Sequence, residues 1–346
     1  IQLYKLRIKK FMKIFCTSEK GHRYSSEIFD TYFDNMRIGF FDIETTGLSP
    51  DRCKLILAGL AYYEDDMLVA KQIFADDPSE EPEVIATILN ELKDFDMVVT
   101  YNGKRFDMPF LLKRAYKNKI HMNEALPYNL DLYPAVRSFS PLRAMLPDLK
   151  QKTVESFVGL WETRTDEISG AESVELYYYY AGTKDEKIRD VILLHNRDDI
   201  MQLSKLLTVL DKCDLNGYIY ANGLPAGRLI IDKITAGRQY LDIIGTQRNT
   251  PADFLSYDDF CSGYKVWFKA KDSSFVIRVP VIENSGLRLV DLKKMNIDYS
   301  GLLMYPNVEE DYLIVSISGK VNHREVNLFS QIVVKETERL LLQGVD

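Results

Sequence analysis

Two carboxylates one residue apart are the side chains in this sequence best suited to do chemistry. Asp42 and Glu44 lie in the apolar run 39–48, GFFDIETTGL. The run predicts a strand, and because side chains alternate along a strand, both carboxylates leave the same face. Two like charges on one face of a buried strand repel each other and are costly to desolvate. A divalent cation between them would relieve both costs, so the run predicts half of a two-metal site.

Three further side chains are candidates for the other half of this site. Asp107 closes the segment YNGKRFD at 101–107, where a strand end leads into a helix. His195 and Asp199 stand four residues apart in HNRDD, so on a helix they point from one face with Cβ atoms ~6 Å apart. Asp198 lies about 100° further around and faces elsewhere. Taken singly, Asp107 is a typical helix N-cap and His195 a typical surface histidine. Their order and spacing together favour a site.

The residue types in this set point to hard divalent cations. Mg²⁺ and Mn²⁺ prefer oxygen ligands and need few from the protein, because substrate phosphate and water complete the shell. Two such ions ~3.5–4 Å apart can activate a water and stabilise the leaving oxygen of a phosphodiester. An imidazole one helical turn from a metal ligand is suited to take a proton from that water.

The elements that must position these residues alternate between strands and helices. Apolar periodicity predicts five strands, at 38–44, 54–64, 68–74, 97–101 and 129–133, of which the first three form an antiparallel meander. It also predicts helices at 80–95 and 109–117, which gives the order βββαβαβ. This order predicts an α/β domain with a mixed sheet and helices on both faces.

The remainder of the chain predicts further helices and a second, smaller domain. Helices are expected at 150–160, 171–180 and 184–212, and the last is so long that we expect a break or bend near 195–198. Gly, Asn and Pro at 213–227 predict a linker or long loop. Segments in which apolar and polar residues alternate, followed by a final helical stretch, then predict an α+β domain. The predicted divisions are an N-terminal extension at 1–36, the α/β domain at 37–212, the linker at 213–227 and an accessory domain at 228–346.

Charge and cysteine content limit the classes of function. A net charge of −7 argues against a broad polyanion-binding surface but leaves room for a local one. Six basic residues within 104–119 favour either a solvated helix face or phosphate contacts: Lys104, Arg105, Lys113, Arg114, Lys117 and Lys119. The four cysteines have no metal-binding spacing, which argues against zinc or a disulfide framework and favours a reducing cytoplasm.

Neither a signal peptide nor a membrane span is expected from the apolar runs of this sequence. No apolar run reaches the ~18 residues of a membrane span. Lys and Arg interrupt the first fifteen residues throughout, so this stretch lacks the apolar core of a signal peptide. The sequence opens on Ile, and Met12 is an alternative start that the residues alone leave open.

Three segments resemble the motifs of the DEDD-type 3′–5′ exonucleases of the RNase H-like superfamily. The first motif matches DIETTG at 42–47, the second matches Asn102, Phe106 and Asp107, and the third matches His195 and Asp199. Within that superfamily the chain is most similar to a bacterial group of predicted exonucleases with an HN-x-x-D third motif, which shares a segment like that at 163–182. The likeness covers about 37–212 and implies an RNase H-like fold for that domain.

The resemblance implies a role for each site residue. Asp42 would bridge two Mg²⁺ or Mn²⁺ ions, Glu44 would bind one ion and orient the substrate end, and Asp107 and Asp199 would be further metal ligands. His195 would be the general base, although this family usually spaces such a His five residues before the Asp and a Tyr four residues before it. The implied substrate-binding residues are Thr45, Thr46, Asn102, Lys104 and Arg105. For Thr45 and Thr46, a plain strand-terminating turn is an equally good interpretation.

The function implied is a metal-dependent 3′–5′ exonuclease that acts on single-stranded DNA or RNA ends in the cytoplasm, with no membrane partner. Two alternatives stay open. One is a non-catalytic nucleic-acid-binding or assembly module with the same fold, and the other is an endonuclease of the RNase H type. Retention of all four carboxylates favours an enzyme, and the helix-borne His195–Asp199 pair favours the exonuclease branch.

Overall fold

The computed structural model describes residues 12–122, 125–160, 168–248, 251–256 and 263–343. Residues 1–11 of the predicted extension, the first part of the 163–182 segment and Cys261 lie outside these ranges. Within the described residues, no helix is both long enough and apolar enough to cross a membrane.

The first half of the chain forms a six-stranded mixed sheet. Its strands are β1 (Lys13–Lys20), β2 (Ile38–Thr45), β3 (Leu55–Glu64), β4 (Met67–Phe74), β5 (Met97–Thr100) and β6 (Tyr128–Asp131). Their order across the sheet is β1-β4-β3-β2-β5-β6. The β1–β4, β4–β3 and β3–β2 pairs are antiparallel, whereas β2–β5 and β5–β6 are parallel. The predicted mixed sheet and its antiparallel meander are therefore confirmed.

Helices cover both faces of this sheet. They are α1 (Glu27–Phe33), α2 (Glu81–Leu92), α3 (Asp107–Lys117), α4 (Leu132–Ser138), α5 (Leu142–Met145), α6 (Gln151–Phe157), α7 (Gly170–Thr183), α8 (Glu186–Leu206) and α9 (Leu215–Asn222). Phe41 and Ile43 pack with apolar side chains of α2 and α3 on one face. Phe40 points to the other face, where it shares a core with Ile200 of α8. Strand alternation places Asp42 and Glu44 on this α8 face.

Two predictions for the helical region were wrong. Helix α8 is continuous from Glu186 to Leu206 and tightens to a 3₁₀ helix only at Leu207–Lys212, so no break occurs near 195–198. Residues 213–227 hold α9 and a short strand, β7 (Leu224–Ala226), instead of a long loop, while the domain divisions stay a prediction. The turn-forming residues there act as caps: Asp214 accepts a hydrogen bond from the Gly217 backbone N–H, and Gly223 ends α9 with a φ of 81°.

The second half of the chain adds two antiparallel sheets and a final helix. The larger sheet has the order β10-β11-β12-β9-β8-β7, and the smaller one joins β13 to β17. The strands are β8 (Leu229–Ala236), β9 (Tyr240–Gln247), β10 (Phe254–Ser256), β11 (Lys265–Lys269), β12 (Ser274–Pro280), β13 (Ile282–Asn284), β14 (Leu287–Asp291), β15 (Val308–Glu309), β16 (Tyr312–Ile317) and β17 (Lys320–Val321). Helix α10 (His323–Gln343) follows. The predicted additional α+β region is thus confirmed.

One hydrophobic core runs through both halves. Buried side chains of α1, α8, α9, β8 and α10 belong to a single cluster that includes Phe33, Leu203, Tyr218, Ile231 and Phe329. Polar contacts follow the same path. The Tyr128 hydroxyl on β6 donates to the Gly223 carbonyl at 2.7 Å, and the Gln331 amide on α10 donates to the Pro225 carbonyl at 2.8 Å. Strand β6, at the edge of the first sheet, is therefore fixed against α9 and the start of β7.

Candidate active site

Strand β2 and helix α8 bring three of the predicted residues into direct proximity. The His195 Nε2 atom lies 3.6 Å from Glu44 Oε1 and 3.6 Å from Asp199 Oδ2. One ligand atom from each of these three residues lies within 4.8 Å of the others. Glu44 and His195 are buried and Asp199 is partly exposed, so the group is open to solvent on one side.

Asp107 joins the site because β5 ends early. The pairing of β2 with β5 covers only Ile38–Phe40, and α3 begins at Asp107 after a short loop. The Asp107 carboxylate accepts a hydrogen bond at 3.3 Å from the backbone N–H of Ile43, which lies between Asp42 and Glu44. Asp107 therefore satisfies a backbone donor of β2 and places a third carboxylate beside the first two.

The raised pKa values of three of these carboxylates show that ionising them together in the buried site costs free energy. Burial raises the pKa of Asp42 well above its usual range, and the charges of Asp107, Asp199 and Glu44 raise it further. Burial also raises the pKa of Glu44 to about 7, although His195 partly offsets the rise. Burial raises the pKa of Asp107 to about 7 as well, and the Ile43 N–H opposes the rise.

This donor set fits hard divalent cations. Four carboxylates supply only oxygen, which Mg²⁺ and Mn²⁺ prefer, and one imidazole adds a nitrogen that Mn²⁺ accepts. Buried carboxylates that repel each other are stabilised when a cation replaces the protons they would otherwise keep. The predicted ligands Asp42, Glu44, Asp107 and Asp199 are therefore chemically suited to hold such ions.

A buried amide network fixes Asp42, and sequence reasoning missed it. The Asn196 amide on α8 donates to Asp42 Oδ2 at 3.0 Å. The Gln72 amide on β4 in turn donates to Asn196 Oδ1 at 2.9 Å and to the Leu193 carbonyl at 2.8 Å. Asn196 is fully buried and Gln72 nearly so. The only signal in the sequence was that Asn196 directly follows His195.

Gly59 makes room for this network. It lies on β3 directly opposite Asp42 in the strand register. A Cβ atom at Gly59 would overlap the Asn196 carboxamide. A side chain at this position would therefore displace the Asn196 carboxamide and disturb its hydrogen bonds to Asp42 and Gln72.

The predicted substrate-binding threonines have structural contacts. The Thr45 hydroxyl donates to the Gly47 carbonyl at 2.9 Å. The Thr46 hydroxyl accepts from the Lys54 N–H at 2.9 Å, while the Thr46 N–H donates to the Lys54 carbonyl at 2.9 Å. These contacts form the strand-terminating turn that the sequence left open, and contact with substrate stays a prediction.

The loop between β5 and α3 holds the other predicted substrate contacts. Asn102 adopts a φ of 66°, and its N–H donates to the Asp131 carboxylate at 2.7 Å. The Lys104 ammonium donates to the Asn222 carbonyl at 3.2 Å and lies over the rings of Tyr128 and Tyr218. Lys104 thus stabilises the packing of α9, whereas Arg105 is exposed. Their roles in substrate binding stay predictions.

Most of the basic run 104–119 does not form a free phosphate-binding face. Arg114 makes a bidentate ion pair with Glu81 of α2, with donor–acceptor distances of 2.6 and 2.5 Å. Lys113 and Lys117 both contact Asp51, at 3.7 and 3.0 Å. The phosphate-contact interpretation is therefore wrong for Arg114, which is held in a buried pair with Glu81. For Lys113 and Lys117, whose ion pairs with Asp51 are exposed, it stays a prediction.

Comparisons with known proteins identify the family to which this part of the chain belongs. The family model RNase_H_2 of the RNase H superfamily matches residues 39–211, half of the chain. The uncharacterized protein YprB of Bacillus subtilis is 26% identical over 187 residues, which cover 52% of this chain and 43% of YprB. The chain thus spans less than half the length of that curated relative.

Two solved structures are more distantly similar. The family B DNA polymerase of Pyrobaculum calidifontis has a TM-score of 0.41 and 18% identity, covering 67% of this chain and 34% of the polymerase. Brucella melitensis NrnC, bound to pGG, has a TM-score of 0.27 and 17% identity, covering 57% of this chain and 91% of NrnC. At these values neither structure adds to the family match. That match spans all four carboxylates and His195, and the chain belongs to the RNase H superfamily.

Proposed function

We propose that this protein is a metal-dependent nuclease of the DEDD type, a 3′–5′ exonuclease that hydrolyses single-stranded DNA or RNA from its ends. The observation that carries the proposal is the convergence of Asp42, Glu44, Asp107 and Asp199 from a strand, a helix start and a second helix. The match to the RNase H superfamily supports the nuclease class. The described free thiols, Cys16, Cys53 and Cys213, agree with the proposed reducing cytoplasm.

The four carboxylates would hold two divalent ions, Mg²⁺ or Mn²⁺. Bound there, the ions would supply the positive charge that activates a water and stabilises the leaving oxygen of a phosphodiester. The protein holds the carboxylates in place beforehand, through the Asn196 amide on Asp42 and the Ile43 N–H on Asp107. This arrangement lowers the reorganisation needed during the reaction.

His195 would act as the general base. Its Nε2 atom lies 3.6 Å from carboxylate oxygens of both Glu44 and Asp199, so the ring would lie beside two of the proposed metal ligands, within reach of a water held there. The continuous helix α8 sets this position, since His195 and Asp199 are one turn apart on it. The four-residue spacing of the pair therefore suits a base that shares the site with a metal ligand.

Incubation with end-labelled single- and double-stranded DNA and RNA tests the proposal. We expect 5′-labelled single strands to shorten progressively with Mn²⁺ or Mg²⁺, and chelator to stop the reaction. A circular single strand is the matched control and should resist. Cleavage of the circle would show an endonuclease of the RNase H type. Binding without cleavage under every metal condition would show a non-catalytic nucleic-acid-binding module.

Replacing His195 with Ala separates a base from a metal ligand. We expect kcat to fall by about 10²-fold or more, because proton transfer from the attacking water loses its acceptor. The affinity for Mn²⁺, measured by calorimetry, should change little, since four carboxylates remain. A collapse of Mn²⁺ binding with the loss of activity would instead identify His195 as a ligand.

A further inference from the structure

A cavity of about 390 Å³ lies on the loop that leads to Asp107. Asn102 and Arg105 line it from this loop, Tyr133 and Arg137 from α4, and Arg143 from α5. None of these residues belongs to the Glu44–His195–Asp199 group. The cavity is therefore a separate feature of the same region, with a different chemistry.

The cavity is basic, and its arginines have no acidic partners among the described residues. Within those ranges, no ion pair or hydrogen bond is found for the guanidinium groups of Arg105, Arg137 and Arg143, whereas those of Arg114 and Arg189 are paired with carboxylates. The Arg137 guanidinium lies 5.9 Å from the centre of the Tyr133 ring. Three arginines that converge on one cavity without partners repel each other, so an anion in the cavity would stabilise them.

Asp131 supplies the one carboxylate that lines the cavity among the described residues, and backbone N–H groups already bind its oxygens. Asp131 accepts hydrogen bonds from the backbone N–H groups of Asn102 at 2.7 Å, Lys104 at 3.0 Å and Tyr133 at 3.0 Å. It is almost completely buried. Asp131 thus shapes the loop and the start of α4, and it leaves the three guanidinium groups available for a ligand.

The cavity and the carboxylates are joined by a short stretch of chain. Arg105 and Asp107 are two residues apart, so their Cα atoms lie within about 7 Å of each other. A nucleic-acid strand whose end is bound at Asp42 and Glu44 would therefore pass close to the arginines. The guanidinium fork suits phosphate oxygens, and the Tyr133 ring offers a face for a base.

We propose that this cavity binds backbone phosphates of the nucleic-acid strand a short distance from the bond held at the carboxylates. The proposal rests on the proposed function, because it takes the same strand as ligand. It assigns strand binding to Arg137 and Arg143, together with Arg105, rather than to the basic face of α3. Since guanidinium contacts to phosphate carry no base information, binding here is independent of sequence.

The double variant Arg137→Gln, Arg143→Gln tests this assignment. The probe is a 5′-fluorescein-labelled twelve-nucleotide oligothymidylate, with anisotropy measured in chelator over a range of salt. We expect affinity to fall about tenfold and the slope of log affinity against log salt to decrease by about 1.4, or about 0.7 for each lost phosphate contact. Melting temperature should stay unchanged, which separates lost binding from lost folding.

Arg238→Gln, Lys271→Gln is the matched control. It also removes two positive charges, from exposed residues outside the cavity. We expect it to keep the wild-type salt slope.

A cavity variant with wild-type affinity and slope would overturn the inference, even if the wild type cleaves nucleic acid. Inorganic phosphate that displaces the probe from the wild type but not from the cavity variant would support it. A wild type that cleaves no substrate, yet binds the probe through these arginines, would refute the proposed function and leave the phosphate site standing.

Discussion

Asp42→Asn should abolish metal-dependent release of nucleotides, lowering kcat/KM by about 10³-fold or more, equivalent to about 4 kcal/mol of transition-state stabilisation. Asp42 is the carboxylate on which the charges of Asp107, Asp199 and Glu44 all act. Asn keeps the shape and the acceptor for the Asn196 amide, so the loss would be one of charge and not of packing. Asp190→Asn removes an exposed carboxylate from α8 and should keep full activity. Undiminished activity of Asp42→Asn would contradict the site.

The same variant should be more stable than the wild type in chelator, and the difference should grow with pH. A carboxylate whose pKa is raised by folding contributes stability that is fully present below its unfolded pKa, near 4, and is lost as pH rises through its folded pKa. Folding raises the pKa of Asp42, and those of Glu44 and Asp107 to about 7. As pH rises from about 4 upward, the wild type should therefore lose thermal stability relative to Asp42→Asn, since Glu44 and Asp107 are present in both proteins. Equal melting temperatures across that range would contradict the unfavourable burial of these charges.

Arg114→Met should destabilise the protein by about 3–5 kcal/mol, because it leaves the Glu81 carboxylate buried without its partner. Glu81 is 1% exposed and also accepts the Leu55 N–H at 2.8 Å, while Arg114 donates to the Pro50 carbonyl at 3.0 Å. The pair thus connects α2, α3 and the loop that follows β2. Unfolding in urea, monitored by circular dichroism, measures the loss.

Lys117→Met is the control for this ion pair. Lys117 lies on the same helix and pairs with the exposed Asp51 at 3.0 Å, so its loss should lower stability much less than the loss of Arg114. If the two variants lost equal stability, the buried pair would not hold this part of the fold together. The double variant Glu81→Gln, Arg114→Met should recover part of the stability, since it removes the unpaired buried charge.

Local patterns in the sequence were sufficient to predict the parts of the site that a single element determines. Alternation along one strand placed Asp42 and Glu44 on a common face, and helical spacing placed His195 beside Asp199. The same kind of pattern predicted the amphipathic face of α2, whose Ile85, Ile88 and Leu92 are buried. These features depend only on the geometry of their own element.

The features that sequence reasoning missed depend on which elements meet. Gln72 and Asn196 are 124 positions apart, and nothing local to either indicates that their amides pair. Lys104 and Arg114 look like solvated cations until α9 and α2 supply their partners. The long loop predicted at 213–227 was wrong for a related reason, because Asp214 and Gly223 are typical of loops but also of the caps of a helix.

Gly59 sets how far apart strand and helix stand at the acidic group. Its missing side chain leaves a recess in the sheet, and the Asn196 carboxamide fills it. The gap between Asp42 on one side and the His195–Asp199 pair on the other is therefore a matter of van der Waals contact. Changes in ionic strength, acidity or bound ion alter the charges across that gap, whereas the contact between Gly59 and the Asn196 side chain depends on shape. The close approach of these mutually repelling acids therefore rests on packing as well as on hydrogen bonds.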